Sequence, residues 1–513
     1  MDYYMGTEHS ANAVRSAHFK KLFRRFQKGD LDFGMAYGML RPFWSQQDFA
    51  EPYLHAGGAR AKDNTMRSSA CARNRISPSN IPPRRVWDLL SNRVLDWCSV
   101  NLELRDVWPV SHSWVSPDER ETLLTPINQE QWPVPVPREV DLDDVRLELI
   151  LYGAEYAWLD VLCLRQKGFP KREKTRKEEW ALDVPTIGYI YEQQANVVTY
   201  LSGLGRPFNA TPTEDKQHWL SRAWTLQEIV AKACYIGGLR HNDVEPLLTP
   251  DRVENVYEYN EIFNKVAKTI HFRKCDFDLF DVLGRMRTRH AVHERDKVAG
   301  LAYILRYWDA LPCYEDHEDP EAAWIGVVNT IDKRYISQLL FLFPEPGDIC
   351  SGRSWLPSWY QIRTATRLPH LEQDVDHCLD RIRFKYIFTH QLHVRGYLLD
   401  SCTVHGLDNS NFNDPRFSLE SEALPCRCGW IKLKHDGGSH TVVVKAHHQI
   451  AVPSQERLAL IGTEDFRYCV VCKAIDEPTQ RIFEKVTVVT IPDRSDRMRA
   501  ARAAQRRQWL FII

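Results

Sequence analysis

Within Ser221–Val230 ("SRAWTLQEIV") the residues best suited to chemistry are Trp224 and Glu228. Four positions apart, they share one face if the stretch is helical. A large aromatic there suits a core. A carboxylate beside it needs a partner or a task, because an unpaired charge is costly to bury. One arrangement has Trp224 anchoring the helix and Glu228 pairing with Arg222 or a loop N–H. The other has Trp224 walling a pocket that Glu228 faces. Asp160, inside the apolar run "YAWLDVLCL", poses the same choice: a functional carboxylate, or a hub of hydrogen bonds that orders a sheet edge.

Other familiar chemistry is absent. There is no P-loop and no G-x-S-x-G elbow, and Gly203 and Gly205 of "SGLGRP" lack the third glycine of a dinucleotide fingerprint. In "VSHSW" the neighbours Ser111 and His112 point to opposite faces of a strand, so they do not form a nucleophile–base pair by themselves. His290 and His293 are not in an H-E-x-x-H motif. Cys426, Cys428, Cys469 and Cys472 could supply four thiolates to zinc. Their spacing is longer than in common zinc ribbons, however, and "YCVVC" reads as a strand interior whose cysteines face opposite ways, so no metal is expected.

The elements that would position these groups alternate. "DVWPVSHSW", "YAWLDVLCL", "NVVTYLSGL" and "ACYIGG" read as strands. "DLDDVRLELILYG" reads as a helix with an acidic start and a Gly stop. "TRKEEWALDVPTIGYIYEQQ" reads as one or two helices divided at Pro185, and "HWLSRAWTLQEIVAK" as a further helix. This alternation predicts a parallel sheet with helices on both faces, with the runs at 156–164 and 196–204 as buried neighbours. Residues 1–84 form an N-terminal helical and linker region. Its 13–28 segment is a basic amphipathic helix that lies either on the protein itself or on a membrane or partner, and 55–83 reads as a linker. Residues 241–345 look helical. Residues 346–513 look β-rich, with a hairpin signal at Asp436-Gly437-Gly438 and a basic helical tail.

At 513 residues the chain exceeds one ordinary core. With 43% hydrophobic and 26% charged residues it fits a soluble globular protein, and a net charge of −1 gives no global attraction to nucleic acid. No apolar segment has the length of a secretory signal or membrane span, and the 13 cysteines are an odd number, so reduced thiols and a cytoplasmic location are expected.

Four motifs in order carry a family resemblance: "VSHSW", "AWLDVLCLRQ", "IGYIYEQQANVVTYLSG" and "SRAWTLQEI". Together they resemble the fungal heterokaryon-incompatibility (HET) domain, over residues 85–240. "RDKVAGLAYIL" and "SWLPSW" look like segments that follow such domains. Two departures stand out: His112-Ser113-Trp114-Val115 replaces the family's aromatic and Trp-Gly pair, and a long charged loop, "KGFPKREKTRKEE", follows Gln166. The HET domain in turn is similar to TIR domains, which have a flavodoxin-like α/β fold. Some TIR domains cleave NAD⁺ at the nicotinamide–ribose bond with the Glu of a Trp-x-x-x-Glu motif, which Trp224 and Glu228 match.

The resemblance implies non-self recognition that triggers growth arrest or cell death. Glu228 would be the catalytic carboxylate. Ser113, Trp114, Asp160, Arg165, Gln166, Ser202 and Trp224 would line the substrate site at the strand ends. NAD⁺ would be a substrate, with no bound cofactor. Partners would be further copies of the chain or another incompatibility protein, with the 167–179 loop as an assembly surface. The alternative of another class is a self-associating signalling module without chemistry.

Overall fold

The computed structural model describes residues 24, 28, 31–43, 50–100, 102–192, 196–208, 216–228, 234–238, 247–248, 278–306, 310–348, 350–369, 379, 381–386, 391–407, 427–435, 438–448, 450–452, 457–478, 480–504 and 507–513. The protein is mixed α/β and divides into two compact units, 1–277 with 288–330 and 278–287 with 331–513. Most of the basic 13–28 segment and the run 251–277 lie outside the described residues. Among the described residues no helix is long and apolar enough to cross a membrane.

The first unit is built on a seven-stranded sheet of β1 (Arg85–Asp88), β2 (Arg93–Asp96), β3 (Val107–His112), β4 (Tyr156–Leu159), β5 (Val197–Tyr200), β6 (Cys234–Ile236) and β7 (Leu247–Leu248), in the order β7-β6-β5-β3-β4-β1-β2. Four consecutive strands, β6, β5, β3 and β4, run parallel. β1, β2 and β7 add on antiparallel. The sheet is therefore mixed rather than wholly parallel. β4 and β5 are not neighbours either, because β3 lies between them and pairs with both.

The expected strand over 156–164 ends at Leu159, and residues 160–163 form a single helical turn. Asp160 starts that turn. Its carboxylate accepts the N–H of Val161 at 2.7 Å, which takes up a backbone donor that a continuing strand would have paired.

Helices cover both faces, as strand alternation requires. On one face sits α1 (Leu142–Leu151), capped by Asp141, with its C-cap Tyr152 5.3 Å from the ring of Tyr235, which also packs 5.2 Å from Trp108. On the other face α3 (Ile187–Glu192), which follows α2 (Glu173–Asp183), sets Tyr191 edge-on to Trp158 at 6.0 Å. Trp87, Trp158, Leu159, Val198 and Tyr200 are buried between these layers.

The 55–83 stretch is not a linker throughout. Residues 50–70 are helical, and the buried Arg67 on that helix reaches Asp183 and the carbonyls of Pro82 and Pro83. The helix expected over 218–232 is, where described, a short turn at Trp219–Ser221 and a single turn, α4 (Thr225–Glu228). Trp224 stands just before α4, not on it.

The second unit holds β8 (Arg383–Tyr386), β9 (Leu392–His405), β10 (Arg427–His435), β11 (Gly438–Ala446), β12 (Leu458–Gly462), β13 (Tyr468–Asp476), β14 (Arg481–Thr490) and β15 (Gln508–Ile512). β9 pairs with both β10 and β12, so the sheet closes on itself around Val404, Ile431, Val444, Leu460 and Val471. β10 and β11 form the expected hairpin, with His435 opposite Gly438. The tail is a helix over Arg494–Ala503, but its apolar end is strand β15, paired with β9.

Candidate functional site

The carboxyl ends of β3, β4 and β5 converge with α4. β3 ends in Ser111 and His112, and alternation sends their side chains to opposite faces. On the α3 face, the buried Ser111 hydroxyl donates to Glu228 Oε2 at 2.5 Å and accepts from Trp219 Nε1 at 2.6 Å. Tyr191 lies on this face too, its hydroxyl on the Val110 carbonyl at 3.1 Å. Behind α4, Arg289 donates to Thr225 Oγ1 and to the Arg222 carbonyl, both at 2.7 Å, and fixes the turn that presents Glu228.

His112, at the end of the same strand, meets Asp160 at the end of β4: Nε2 lies 2.8 Å from Asp160 Oδ1, and Nδ1 lies 3.2 Å from the Ser113 carbonyl. Both ring nitrogens face acceptors, which suits an imidazolium. Trp114 Nε1 donates to Asp160 Oδ2 at 3.1 Å.

These surroundings push the two carboxylates in opposite directions. Burial drives the Glu228 pKa up to about 7; the negative charge of Asp160 adds to this, while Ser111, His112 and Arg289 oppose it. Burial would also raise Asp160, but the charge and hydrogen bond of His112, with Trp114 and the Val161 N–H, outweigh it and hold Asp160 below the usual carboxylate range. His112 is the mirror case: burial would lower it, and Asp160 raises it overall. Two acids with environments that separate their pKa values are equipped for complementary roles.

The other expected site residues divide. Trp224 is half-buried, its ring 6.1 Å from that of Tyr314. Gln166 stays close to Asp160, its Nε2 donating to the Asp160 and Leu164 carbonyls at 3.2 and 3.0 Å. Ser113 staples strand ends: its N–H bonds the Tyr200 carbonyl and its hydroxyl the Leu201 carbonyl, each at 3.3 Å. Ser202 sits half-buried in the turn after β5. Arg165 is not brought to the carboxylates. It is buried over Trp132 and ion-paired with Glu179, a partner that it shares with Arg85. The stretch expected as a charged loop over 167–179 is a loop only in its first part: from Glu173 it is helix α2, on which Arg176 is buried against Glu173 and Asp316.

Sequence reasoning did not single out Arg120 or the partnerships of Ser111 and His112. The Arg120 guanidinium lies 5.1 Å from the centre of the Trp114 ring. Burial lowers the pKa of Arg120, and it lowers that of Arg222 with a further contribution from the Arg120 charge. Neither guanidinium is in a salt bridge among the described residues, although the Asp296 charge partly offsets the lowering at Arg222, and Glu228 is held by Ser111 rather than by Arg222. No group of three or more His, Cys, Asp or Glu side chains that could hold a metal occurs among the described residues. Cys426 lies outside them, and Cys469 and Cys472 are buried in β13. Compared with protein-family models, curated proteins and solved structures, the chain matches none.

Proposed function

We propose that residues 85–240 are a HET-type domain with a TIR-like, flavodoxin-like core that hydrolyses NAD⁺ at the nicotinamide–ribose bond and thereby signals growth arrest or cell death. One observation carries this reading: the last two residues of β3, Ser111 and His112, hold Glu228 and Asp160 respectively at the carboxyl ends of parallel strands, and their surroundings push the two carboxylates in opposite directions. The strand order supports it. Numbered along the chain, the four parallel strands stand 2-1-3-4, the order with which flavodoxin-like sheets begin, and ligands of such sheets bind where that order reverses. Here the reversal lies between β3 and β5, beside Ser111 and His112.

Cleavage of a cationic nicotinamide from ribose builds oxocarbenium character on the sugar. Asp160, held as an anion by His112, opposes that charge. Glu228 has an affinity for a proton suited to the second role: its carboxylate accepts the proton of the attacking water, which then passes to solvent. Nicotinamide leaves with the bonding electrons, and ADP-ribose is the other product. Trp114 and Trp224 offer flat faces to the rings. Arg120 and Arg222, neither of them in a salt bridge among the described residues, complement the pyrophosphate.

The chain acts in the cytoplasm, through self-association or with another incompatibility protein. Incubating the full chain with NAD⁺, with and without forced oligomerisation, tests this by chromatography. Nicotinamide and ADP-ribose should appear in equal amounts. Toxicity in cells with no NAD⁺ loss in either state would favour the non-enzymatic signalling module instead.

A further inference from the structure

Outside the carboxylate site, two thiols distant in sequence meet. Cys71 follows directly on the helix over residues 50–70, and Cys313 follows the short strand Leu311–Pro312. Both segments pair with Arg75–Ile76, Cys71 opposite Ile76 on one side and Leu311 opposite the same residue on the other. The N–H of Cys313 bonds the Asn74 carbonyl at 3.1 Å. The backbone thus brings the two sulfurs to 2.7 Å across 242 positions of sequence. Cys71 is exposed and Cys313 half-buried. Cys163, Cys234, Cys402, Cys469 and Cys472 are buried, and burial pushes each thiol up; it pushes Cys313 up as well, with Cys71 beside it adding to the effect, so of the pair it is the exposed Cys71 that is placed to attack first.

We propose that Cys71 and Cys313 are a thiol–disulfide exchange site, at which a low-molecular-weight disulfide of the glutathione class converts the pair into a reversible intramolecular cross-link. A disulfide bond is about 2.05 Å long, so closure asks for a shift of well under ~1 Å between sulfurs already in contact. Cys71, the more exposed, gives up its proton and attacks one sulfur of the small disulfide, releasing one small thiol. Cys313 then attacks the Cys71 sulfur of the mixed disulfide, and the second small thiol leaves with the electron pair. The protein loses two electrons and two protons, and the small disulfide gains them as two thiols.

The cross-link has a place to act. Tyr314 is the next residue after Cys313. Its ring rests against Trp224 and Trp180 at 6.1 and 6.2 Å, its N–H bonds the Ala181 carbonyl at 3.0 Å and its hydroxyl the Asp296 carboxyl at 2.9 Å. Oxidation therefore ties the support of the Trp224 wall to the end of the helix over residues 50–70. The proposal is independent of the substrate assigned to the carboxylates.

The test is peptide mapping of the full chain after equilibration in mixtures of reduced and oxidised glutathione, quenched with acid and alkylated. The expected result is a Cys71–Cys313 linked peptide that accumulates before any other cysteine is lost. Cys313→Ser should instead trap one glutathione on Cys71. The melting temperature of the oxidised wild type should rise by roughly 5–10 °C, from closure of so long a loop, and fall back with dithiothreitol. Neither Cys71→Ser nor Cys313→Ser should show that shift. Persistent alkylation of both thiols while other cysteines oxidise would overturn the proposal. So would a wild type that keeps a stable mixed disulfide on Cys71. The wild-type map decides the matter even if a variant folds poorly.

Discussion

Glu228→Gln keeps the shape of the side chain and removes its titration, so its effect on stability should depend on pH with a definite sign. The carboxyl is raised from an ordinary 4.5 to about 7 in the folded protein. Below the unfolded value it is neutral in both states, and the folded state loses nothing. As pH rises from 4.5 to about 7, the unfolded chain ionises freely while the buried carboxyl of the folded chain keeps its proton, so stability is lost across that window, and the loss levels off once the folded group ionises too. Each pKa unit corresponds to about 1.4 kcal/mol, and with solvent access to this partly exposed group counted, the loss at pH 8 is about 2–3 kcal/mol. Glutamine avoids it: its oxygen still accepts from Ser111, and its amide carries no charge for burial and the negative Asp160 to oppose. At pH 8 the variant should melt about 3–6 °C higher than the wild type, and at pH 4 the two should coincide. NAD⁺ cleavage should fall on the order of 100-fold or more. Calorimetry at the two pH values and single-substrate kinetics measure both. A Glu228→Gln protein destabilised equally at pH 4 and pH 8 would refute the account of the carboxylate as a strained group kept for chemistry, and would make Glu228 a structural hydrogen-bond acceptor.

Asp160→Asn should cost about 3–5 kcal/mol, since it leaves the buried His112 without its counter-charge, and nuclear magnetic resonance should then find His112 titrating lower than in the wild type. In the wild type this pair contributes most between the two folded pKa values, losing strength in acid as Asp160 protonates and in alkali as His112 deprotonates. Arg120→Ala and Arg222→Ala should each raise KM for NAD⁺ about tenfold with kcat little changed, and should have no such effect on a nicotinamide riboside substrate that lacks the pyrophosphate; equal effects on both substrates would contradict the phosphate role. Gly188→Ala should lower the urea midpoint by the equivalent of about 1–3 kcal/mol, because the new methyl would lie 2.1 Å from the ring of Tyr303, which is clamped by the Glu192 carboxylate.

Strand and helix alternation over 106–240 was legible because apolar runs and capping signals are local properties. The exceptions arose where a long-range contact decided. The 55–83 stretch has linker-like composition, yet its residues up to Ala70 are helical, and Arg67 docks that helix by reaching Asp183, 116 positions away. The run at 156–164 is apolar throughout, and a buried strand and a buried helical turn cannot be told apart by composition alone. The strand ends at Leu159, where Asp160 opens a helical turn and its carboxylate accepts the Val161 N–H. Strand pairing was less legible still: order along the chain put β4 beside β5, whereas the structure inserts β3 between them.

The candidate site shows the same limit in a sharper form. Trp224 and Glu228 drew notice for a shared helix face, but Trp224 precedes the turn, and the tie on Glu228 comes from Ser111, 117 positions earlier. Ser111 and His112 fail as a nucleophile–base pair because neighbours in a strand point opposite ways. That alternation is also what makes the site. It sends Ser111 to Glu228 and His112 to Asp160, so the two terminal residues of one strand hold two carboxylates that approach from different elements. The serine donates a hydrogen bond to an acid that burial keeps near neutrality, and the histidine supplies a charge to an acid that it keeps ionised. Exchanging the order of Ser111 and His112 would put the imidazole beside Glu228 and the hydroxyl beside Asp160. Glu228 would then be the acid held ionised, and Asp160 would lose the charge that keeps its pKa low. The division of labour between the carboxylates thus depends on a two-residue order at the end of β3.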